Sequence, residues 1–536
     1  MQYSKKTAPF LFLILIVLVN NQSAAAFIGI ESPSSNIYYV DQSHPQASDT
    51  NPGTETLPWF TIQHAADVLI AGETVIIKPG FYAERVIPQN SGEQGKLITF
   101  EVSLAKNVTM WGFDTVNANY LRIDGFNIAT DYSLTGWTEK YGIFIRSDFV
   151  EVVNNHFYDL KAAAIQGYWG QDLPKSAYIA GNTVYHSQMG IVITGENWIV
   201  ENNKVERLYN YGSGDSDYSR FFGENHKILG NYFHGTDLEN EIGSAHVDCF
   251  QTFDNNGEHV RNVIIENNIC YDFHQGFMGE AAFYRNSSDL TFRNNIFAHA
   301  GAWGMSIHQI RDVTAVHNVF ADIRYHGIGF RDGATGVVKN NIFYNAGSNY
   351  WVSDGGYVEG SHNLLYKSSG TVDPLDFPND IVNQDPRFVD PANDVYHLQL
   401  GSPAIDAGTN FSVTADMDGT HRPQGSGYDI GAYEFAHPLI LNSTSGDQII
   451  YLAWTLNVTI PVTATWQIEY FGPPGDQESP ISKLPNPTRT YTLTGLTNYS
   501  PYSITVSAMF TATSILSDSV RALPTNHITY LPLVRQ

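Results

Sequence analysis

Cysteine is almost absent. The 536 residues contain two, which excludes a scaffold built on disulfides. Positive charge is scarce as well: 29 Lys and Arg stand against 54 Asp and Glu, a formal net charge of −25. That balance excludes broad nucleic-acid binding and attachment to an anionic membrane. After the N-terminus no apolar run reaches the about 18 residues of a spanning helix. Charged residues make up only 15% while apolar ones reach 43%, so disorder is excluded and large cores can be built. What the chain has instead is 45 Gly and 31 Tyr, with many Asn, a composition that suits β-structure with frequent tight turns.

The first 26 residues read as a secretory signal peptide. Lys5 and Lys6 precede an apolar run from Phe10 to Val19, and Ala24, Ala25 and Ala26 supply the small residues of a cleavage site. Ten apolar residues are too few to cross a ~30 Å bilayer core as a helix. The expected location is extracellular, secreted or at the cell surface, with no transmembrane segment.

Internal repetition decides the architecture. An Asn-bearing motif, as in Val152-Val153-Asn154-Asn155-His156-Phe157, recurs with its second Asn at 155, 182, 203, 231, 268, 295, 318, 341 and 363. The intervals are 27, 21, 28, 37, 27, 23, 23 and 22 residues. That period is too short for a propeller blade, and the leucine spacing of leucine-rich repeats is missing. A parallel β-helix accounts for it, each turn supplying three short strands that pair with the next turn. An Asn recurring once per coil then lands above its predecessor at ~4.8 Å, so the column can hydrogen-bond as a structural ladder.

With the opening stretches Tyr38-Tyr39-Val40-Asp41, Asn51-Pro52-Gly53-Thr54 and Gly72-Glu73-Thr74-Val75, this pattern resembles the right-handed parallel β-helix proteins of the pectate-lyase-like superfamily. The solenoid is assigned to residues 27–435, with residues 61–71 as an amphipathic helix covering its open end. Its last part, 385–435, carries Asp385-Pro386-Arg387-Phe388, Ser402-Pro403-Ala404-Ile405-Asp406 and Asp429-Ile430-Gly431-Ala432-Tyr433-Glu434, and resembles a choice-of-anchor Q segment. Asp416, Asp418, Asp429 and Glu434 are hard oxygen donors for calcium, but turn-forming acids are the preferred reading. Residues 438–524 resemble a fibronectin type III sandwich, with Trp454 and Trp466 in early core strands and Tyr502 in a late one; residues 525–536 form a tail. The fold class is thus all-β, a right-handed parallel β-helix followed by a small β-sandwich.

Function is sought on the outer face. Aligning coils on Gly142, Gly190, Gly304 and Gly327 makes Ile143/Ile145, Ile191/Ile193, Met305/Ile307 and Ile328/Phe330 inward pairs. The next position projects outward and holds Arg146, Thr194, His308 and Arg331; the same alignment gives Arg285. Arg285, His308 and Arg331 are then expected to stack in a column of ~10 Å. Such cations in an acidic protein require anions, from Glu280, Asp332 and Asp248 or from a bound uronate polymer. An ion-pair ladder satisfies the same charges.

One coil earlier lies the densest polar cluster, His246, Asp248 and Gln251, after a long loop carrying Asp215, Asp217, Tyr218 and Arg220. Residues two apart share a strand face and residues three apart do not, so a bulge or turn must bring these side chains together.

Two chemistries fit. In β-elimination His308, His246 or Tyr284 is the base, and Arg285 and Arg331 neutralise a uronate carboxylate. In glycoside hydrolysis Asp248 and Glu280 form the carboxyl pair. Tyr218, Arg220, Gln251, Tyr284 and Trp303 are the expected substrate-binding residues. A polysaccharide lyase acting on an anionic polysaccharide ranks first, a glycoside hydrolase next; a noncatalytic adhesin is the competing class. A monomer is expected, with no required cofactor and with calcium left open. Cys249 and Cys270 fall on different strands, so buried thiols are expected rather than a disulfide.

Overall fold

A computed structural model describes residues 36–525, apart from 106, 117, 130–139, 213, 244, 255–258, 282–285, 373, 457–459, 461, 474–480 and 510–514. The proposed signal peptide and all but the first residue of the tail lie outside the described residues. Among those described, no helix is long and apolar enough to cross a membrane.

The Asn-Asn signature has two parts with different duties. The first residue turns the chain. Asn154, Asn202, Asn267, Asn294, His317, Asn340 and His362 have φ between 54° and 58°, and Gly181 and Gly230 do the same, in the left-handed region that favours Asn and Gly. The second residue is the ladder Asn. All nine, from Asn155 to Asn363, are at most 1% exposed.

Each ladder oxygen accepts from both the backbone N and the Nδ2 of the Asn one coil earlier; Asn268 donates to Asn295 Oδ1 in this way, at 2.9 and 3.0 Å. Its Nδ2 also reaches Ile228 O at 2.9 Å, so a buried amide is satisfied without water. The ladder starts where Phe126 N donates to Asn155. It ends where Asn363 donates through both nitrogens to Asp380 Oδ1, at 2.8 and 3.2 Å.

This column sits at one corner of a right-handed all-β solenoid. On one side of the corner a parallel sheet runs coil by coil from Ile37–Val40 to Tyr357–Ser361. On the other side are short strands such as Tyr232–His234, which lead into the strands of the outer face. In two coils these fuse into one long strand, Ile269–Glu280 and Ile296–His308. The inward pairs stack as the alignment requires: Met305 on Ile328 and Ile307 on Phe330, all at most 1% exposed. Phe297, Phe320 and Phe343 stack at 5.3 and 5.1 Å. A helix, Ile62–Val68, is capped by Thr61 Oγ1 accepting from His64 N at 3.1 Å and buries Ile62, Ala65 and Ala66 over the first coils.

Two expectations fail at one column. The register places Gly190, Tyr218, Cys249, Gly276 and Gly304 above one another. At Gly304 an added Cβ would meet Gly327 O at 2.3 Å. Where this column carries a side chain, that side chain enters the interior. Tyr218, expected to bind substrate, is fully buried with its hydroxyl 2.6 Å from Thr236 Oγ1 and its ring stacked on Phe233. Cys249 also turns inward and forms a disulfide with Cys270, Cα to Cα 6.3 Å. The coil closes in 27 residues, since Asp248 pairs with Gln275, so a residue 21 positions on has nearly returned to its start. Assigning the cysteines to different strands overlooked that closure.

Beyond the last coil the chain folds back along the flank of the solenoid. Phe388, Tyr396, Ile430 and Ala432 bury against Ile296, Val319 and Ile342, and Asn340 and Asn294 donate to Thr409 O and Ala415 O. Asp416 accepts from Asp418 N, Thr420 N and Glu434 N. Asp429 accepts from Asp406 N and Phe435 N, and the buried Arg422 holds Glu434 at 2.7 Å. These acids shape turns. Among the described residues no group of three or more His, Cys, Asp or Glu side chains is arranged to hold a metal ion. The C-terminal part is a two-sheet antiparallel sandwich. Leu439–Gly446, Ile449–Leu456 and Thr490–Thr494 face Ile481–Pro485, Thr465–Phe471, Tyr502–Met509 and Ile515–Ala522, around Trp454 and Trp466.

Asp380 ends the ladder with a carboxyl where a tenth Asn would fit. Burial raises its pKa to about 6, against the pull of the Asn363 donors. A folded-state value above the ordinary 3.8 means that stability from this group is full below about pH 4 and is lost as pH rises through about 6. Asp380→Asn should therefore stabilise the protein at pH 7.5 by about 1–2 kcal/mol and have little effect at pH 4. Thermal melts at the two pH values check this; lower melting at both would show that the ladder needs the charge.

Candidate functional site

One sheet face points its outward side chains away from the core in three columns, successive members ~4.8 Å apart. The first runs Met189, Asp217, Asp248, Gln275, Trp303, His326. The second runs Val192, Arg220, Gln251, Met278, Ser306, Gly329, Trp351. The third runs Phe253, Glu280, His308, Arg331.

The third column corrects one expectation. His308 does lie under Arg331, but the residue paired with His308 on the other side is Glu280, not Arg285. The coil between them is 28 residues long rather than 23, and the surplus is taken up in the turn at 281–287. Arg285 and Tyr284 themselves lie outside the described residues. The expected stack of three cations is therefore acid, imidazole, guanidinium.

His308 is held from both sides. Its Nδ1 is 2.9 Å from Asp332 Oδ2, and its Nε2 is 2.6 Å from Arg331 Nη2 and 3.2 Å from Ser306 Oγ. Asp332 turns back to the ring because it occupies the left-handed region, φ 54°, directly after the strand. An arginine only donates, so Nε2 accepts and Nδ1 carries the proton toward Asp332. Arg331 lies 4.4 Å over the ring of Trp351. Behind it His326 stacks on Trp303 at 5.5 Å and meets the edge of Trp351 at 4.8 Å. Burial, with Arg331 and His308 adding to it, lowers the His326 pKa to about 3, so that ring is a neutral aromatic platform. Among the described residues, no carboxylate lies within ion-pair distance of Arg331, whose buried Nε also lacks a partner.

A second centre lies two coils toward the N-terminus. Asp217 and Asp248 are both buried, and Asp217 Oδ1 accepts from Asp248 N at 2.9 Å. Arg220 clamps Asp217 at 2.5 Å and lies 3.8 Å from Asp215. Gln251 Nε2 donates to Asp248 Oδ2 at 3.2 Å. The irregularity expected here is present, since Cys249 and Phe250 are buried in succession, and this swings Asp248 and Gln251 to one side. Asp248 Oδ1 has no partner. Burial first, then the charges of Asp217 and Asp215, push the Asp248 carboxyl well above the usual carboxylate range; Arg220 opposes them. His246 is exposed, its ring 6.0 Å from that of His274 and joined to no side chain of this cluster by a hydrogen bond. Asp248 and Glu280 are not level: Asp248 pairs with Gln275, and Glu280 with Phe253.

Ser306, His326 and Trp351 were not singled out in the sequence. They are visible only by carrying the coil alignment to the two outward positions before the His308 column. Asp217 had a signal, a 31-residue step to Asp248 matching the step from Arg220 to Gln251.

The raised Asp248 pKa means that the fold favours the neutral carboxyl. Its stabilising contribution is lost as pH climbs above the ordinary carboxylate value. Asp248→Asn should melt higher than the parent protein at pH 8, by on the order of 1–3 kcal/mol, with the difference shrinking toward pH 4. Lower melting at pH 8 would show that the ionised carboxylate is what the site holds.

A family model described as "Right handed beta helix region" matches residues 243–369. The uncharacterized protein YwoF of Bacillus subtilis (strain 168) is 34% identical over 151 residues, 26% of this chain and 32% of that protein. The chain thus spans about a third of the length of the curated relative it matches. Among solved structures, XylC in complex with xylose aligns with TM-score 0.49 at 12% identity, over 74% of this chain and 98% of that one. The GH136 lacto-N-biosidase from Eubacterium ramulus aligns at 0.44 and 12%, over 62% and 67%. The PL6 polysaccharide lyase Pedsa3628 from Pseudopedobacter saltans aligns at 0.37 and 14%, over 63% and 94%. At these identities the similarity is one of fold, not of site chemistry.

Proposed function

We propose that this is an extracellular enzyme that cleaves a uronate-containing polysaccharide by β-elimination, with His308 as base and Arg331 as the group that neutralises the uronate carboxylate. The observation that carries the reading is Arg331 itself: a guanidinium with no carboxylate partner among the described residues, in a chain of net charge −25, beside an oriented imidazole. A substrate carboxylate offers Arg331 a charge-assisted, bidentate partner stronger than the neutral Nε2 it now contacts. Binding then frees the Nε2 lone pair at the place where the proton next to that carboxylate arrives.

Nε2 takes the C5 proton, the C4–C5 double bond forms and the C4–O4 bond breaks, and the imidazolium returns its proton to the departing oxygen. Asp332 steadies the imidazolium, and Arg331 stabilises the negative charge that builds on the carboxylate. Trp303 and Trp351 offer faces for sugar rings. The sandwich, with its three-strand and four-strand sheets, fits a fibronectin type III spacer. Segment 385–435 is read as an anchor-type terminus, and residues 1–26 as the export signal.

Glycoside hydrolysis is the second reading, favoured by Asp248: a buried carboxyl kept neutral suits a general acid. One assay separates the two. The protein is incubated with a panel of polyuronates and neutral glycans, and ultraviolet absorbance of unsaturated ends is followed beside reducing ends. Both signals should grow together on a polyuronate, and His308→Ala and Arg331→Ala should each lower kcat/KM by about 10²–10⁴. Reducing ends without absorbance, lost in Asp248→Asn, would establish hydrolysis. Glycan binding with neither signal would make the protein an adhesin.

A further inference from the structure

The outer face changes character toward the N-terminus. Where the first two columns carry Asp217, Asp248, Arg220 and Gln251 in later coils, they carry Ala163, Met189 and Val192 in earlier ones. Outward positions on a solvated sheet face are expected to be polar. Ala163 and Val192 are instead only 2% exposed, and with Tyr141 and Phe144 they form an apolar cluster separate from the solenoid interior. A cavity of about 380 Å³ opens on this cluster. Trp169, packed on Phe222 at 4.5 Å, and Phe253, packed edge-on to Phe222 at 5.0 Å, make one wall.

The polar side chains of the lining are engaged with the protein. Gln166 Nε2 donates to Gly167 O, Gln188 is held by Asp215 O, Ser216 and Tyr211 N, and Arg220 is held by Asp217. What remains for a ligand is an apolar, aromatic pocket large enough for one substituted sugar ring, with Lys140 and Lys161 also in its lining.

We infer that this pocket is a subsite for a sugar unit bearing an acetyl or methyl ester, so that the preferred substrate is a partly esterified polyuronate. The inference rests on the elimination reading above and adds the substrate's decoration to it. The pocket is centred three to four coils from His308, about 14–19 Å at ~4.8 Å per coil, a distance bridged by an oligosaccharide and not by one ring. A bare uronate would bring a carboxylate and hydroxyls to a surface with no free polar partner from Gln166, Gln188 or Arg220, and would lose their hydration. An ester removes one charge and fills apolar volume. The unesterified units of the same chain supply negative charge for Lys140 and Lys161 and the carboxylate for Arg331.

The test compares one oligouronate in two forms, partly esterified and saponified, by calorimetric titration of the full-length His308→Ala protein, so that binding is read without turnover. The esterified form should bind about ten-fold tighter, the effect of burying one or two methyl or methylene equivalents. Trp169→Ala, and separately Met189→Ser at a half-buried surface position, should bring that ratio to about one. Equal affinity for the two forms in the parent protein, or a ratio unchanged in both variants, overturns the inference. Failure of the elimination reading registers elsewhere, as absence of unsaturated ends from the active protein, and leaves the affinity ratio as measured.

Discussion

The asparagine ladder is the interaction on which the rest depends. Each ladder Asn is buried at the corner of its coil, where its amide would cost free energy if unpaired. It is satisfied only when the next coil sets another Asn directly above it. A slip of one residue would break two side-chain hydrogen bonds per coil and turn every inward residue outward. The ladder therefore sets the vertical register of the solenoid, and loops of different length can leave the coil elsewhere without disturbing it. The 37-residue step from Asn231 to Asn268 keeps the same contact as the 22-residue step from Asn341 to Asn363.

From that register the outer face follows. Side chains far apart in sequence become neighbours at the interstrand spacing, and each column can carry its own chemistry. The face grades from an apolar pocket through a buried carboxyl centre to an imidazole and guanidinium flanked by tryptophans. Such a gradient suits an extended, chemically varied ligand better than a compact one, since each coil meets a different part of it.

The two polar centres differ in what they lack. Asp217 and Arg220 satisfy one another, and the shortage at the first centre is a donor for Asp248, met in part by keeping its proton. At the second centre Arg331 lacks an anion while the imidazole lacks nothing. An uncompensated group in a folded protein lowers stability and is tolerated where a ligand completes it. The missing anion is therefore the stronger pointer to substrate chemistry, and the retained proton to a latent acid.

Local sequence determined the solenoid, the ladder, the inward pairs and the stacking of His308 under Arg331, because a residue's place within a coil is set by its distance from the Asn turn. The Thr61 helix cap and the acidic turns of 416–434 were legible for the same reason: they involve groups close in sequence. Tertiary structure alone decided which residues share a height on the face, because that depends on how many residues each turn absorbs. Five extra residues before Ser288 placed Glu280 where Arg285 was expected. Coil closure brought Cys249 to Cys270, and interior space drew Tyr218 away from the surface. Burial, which converts Asp248 from an ordinary carboxylate into a proton-holding one, belongs to the packed face and not to the residue.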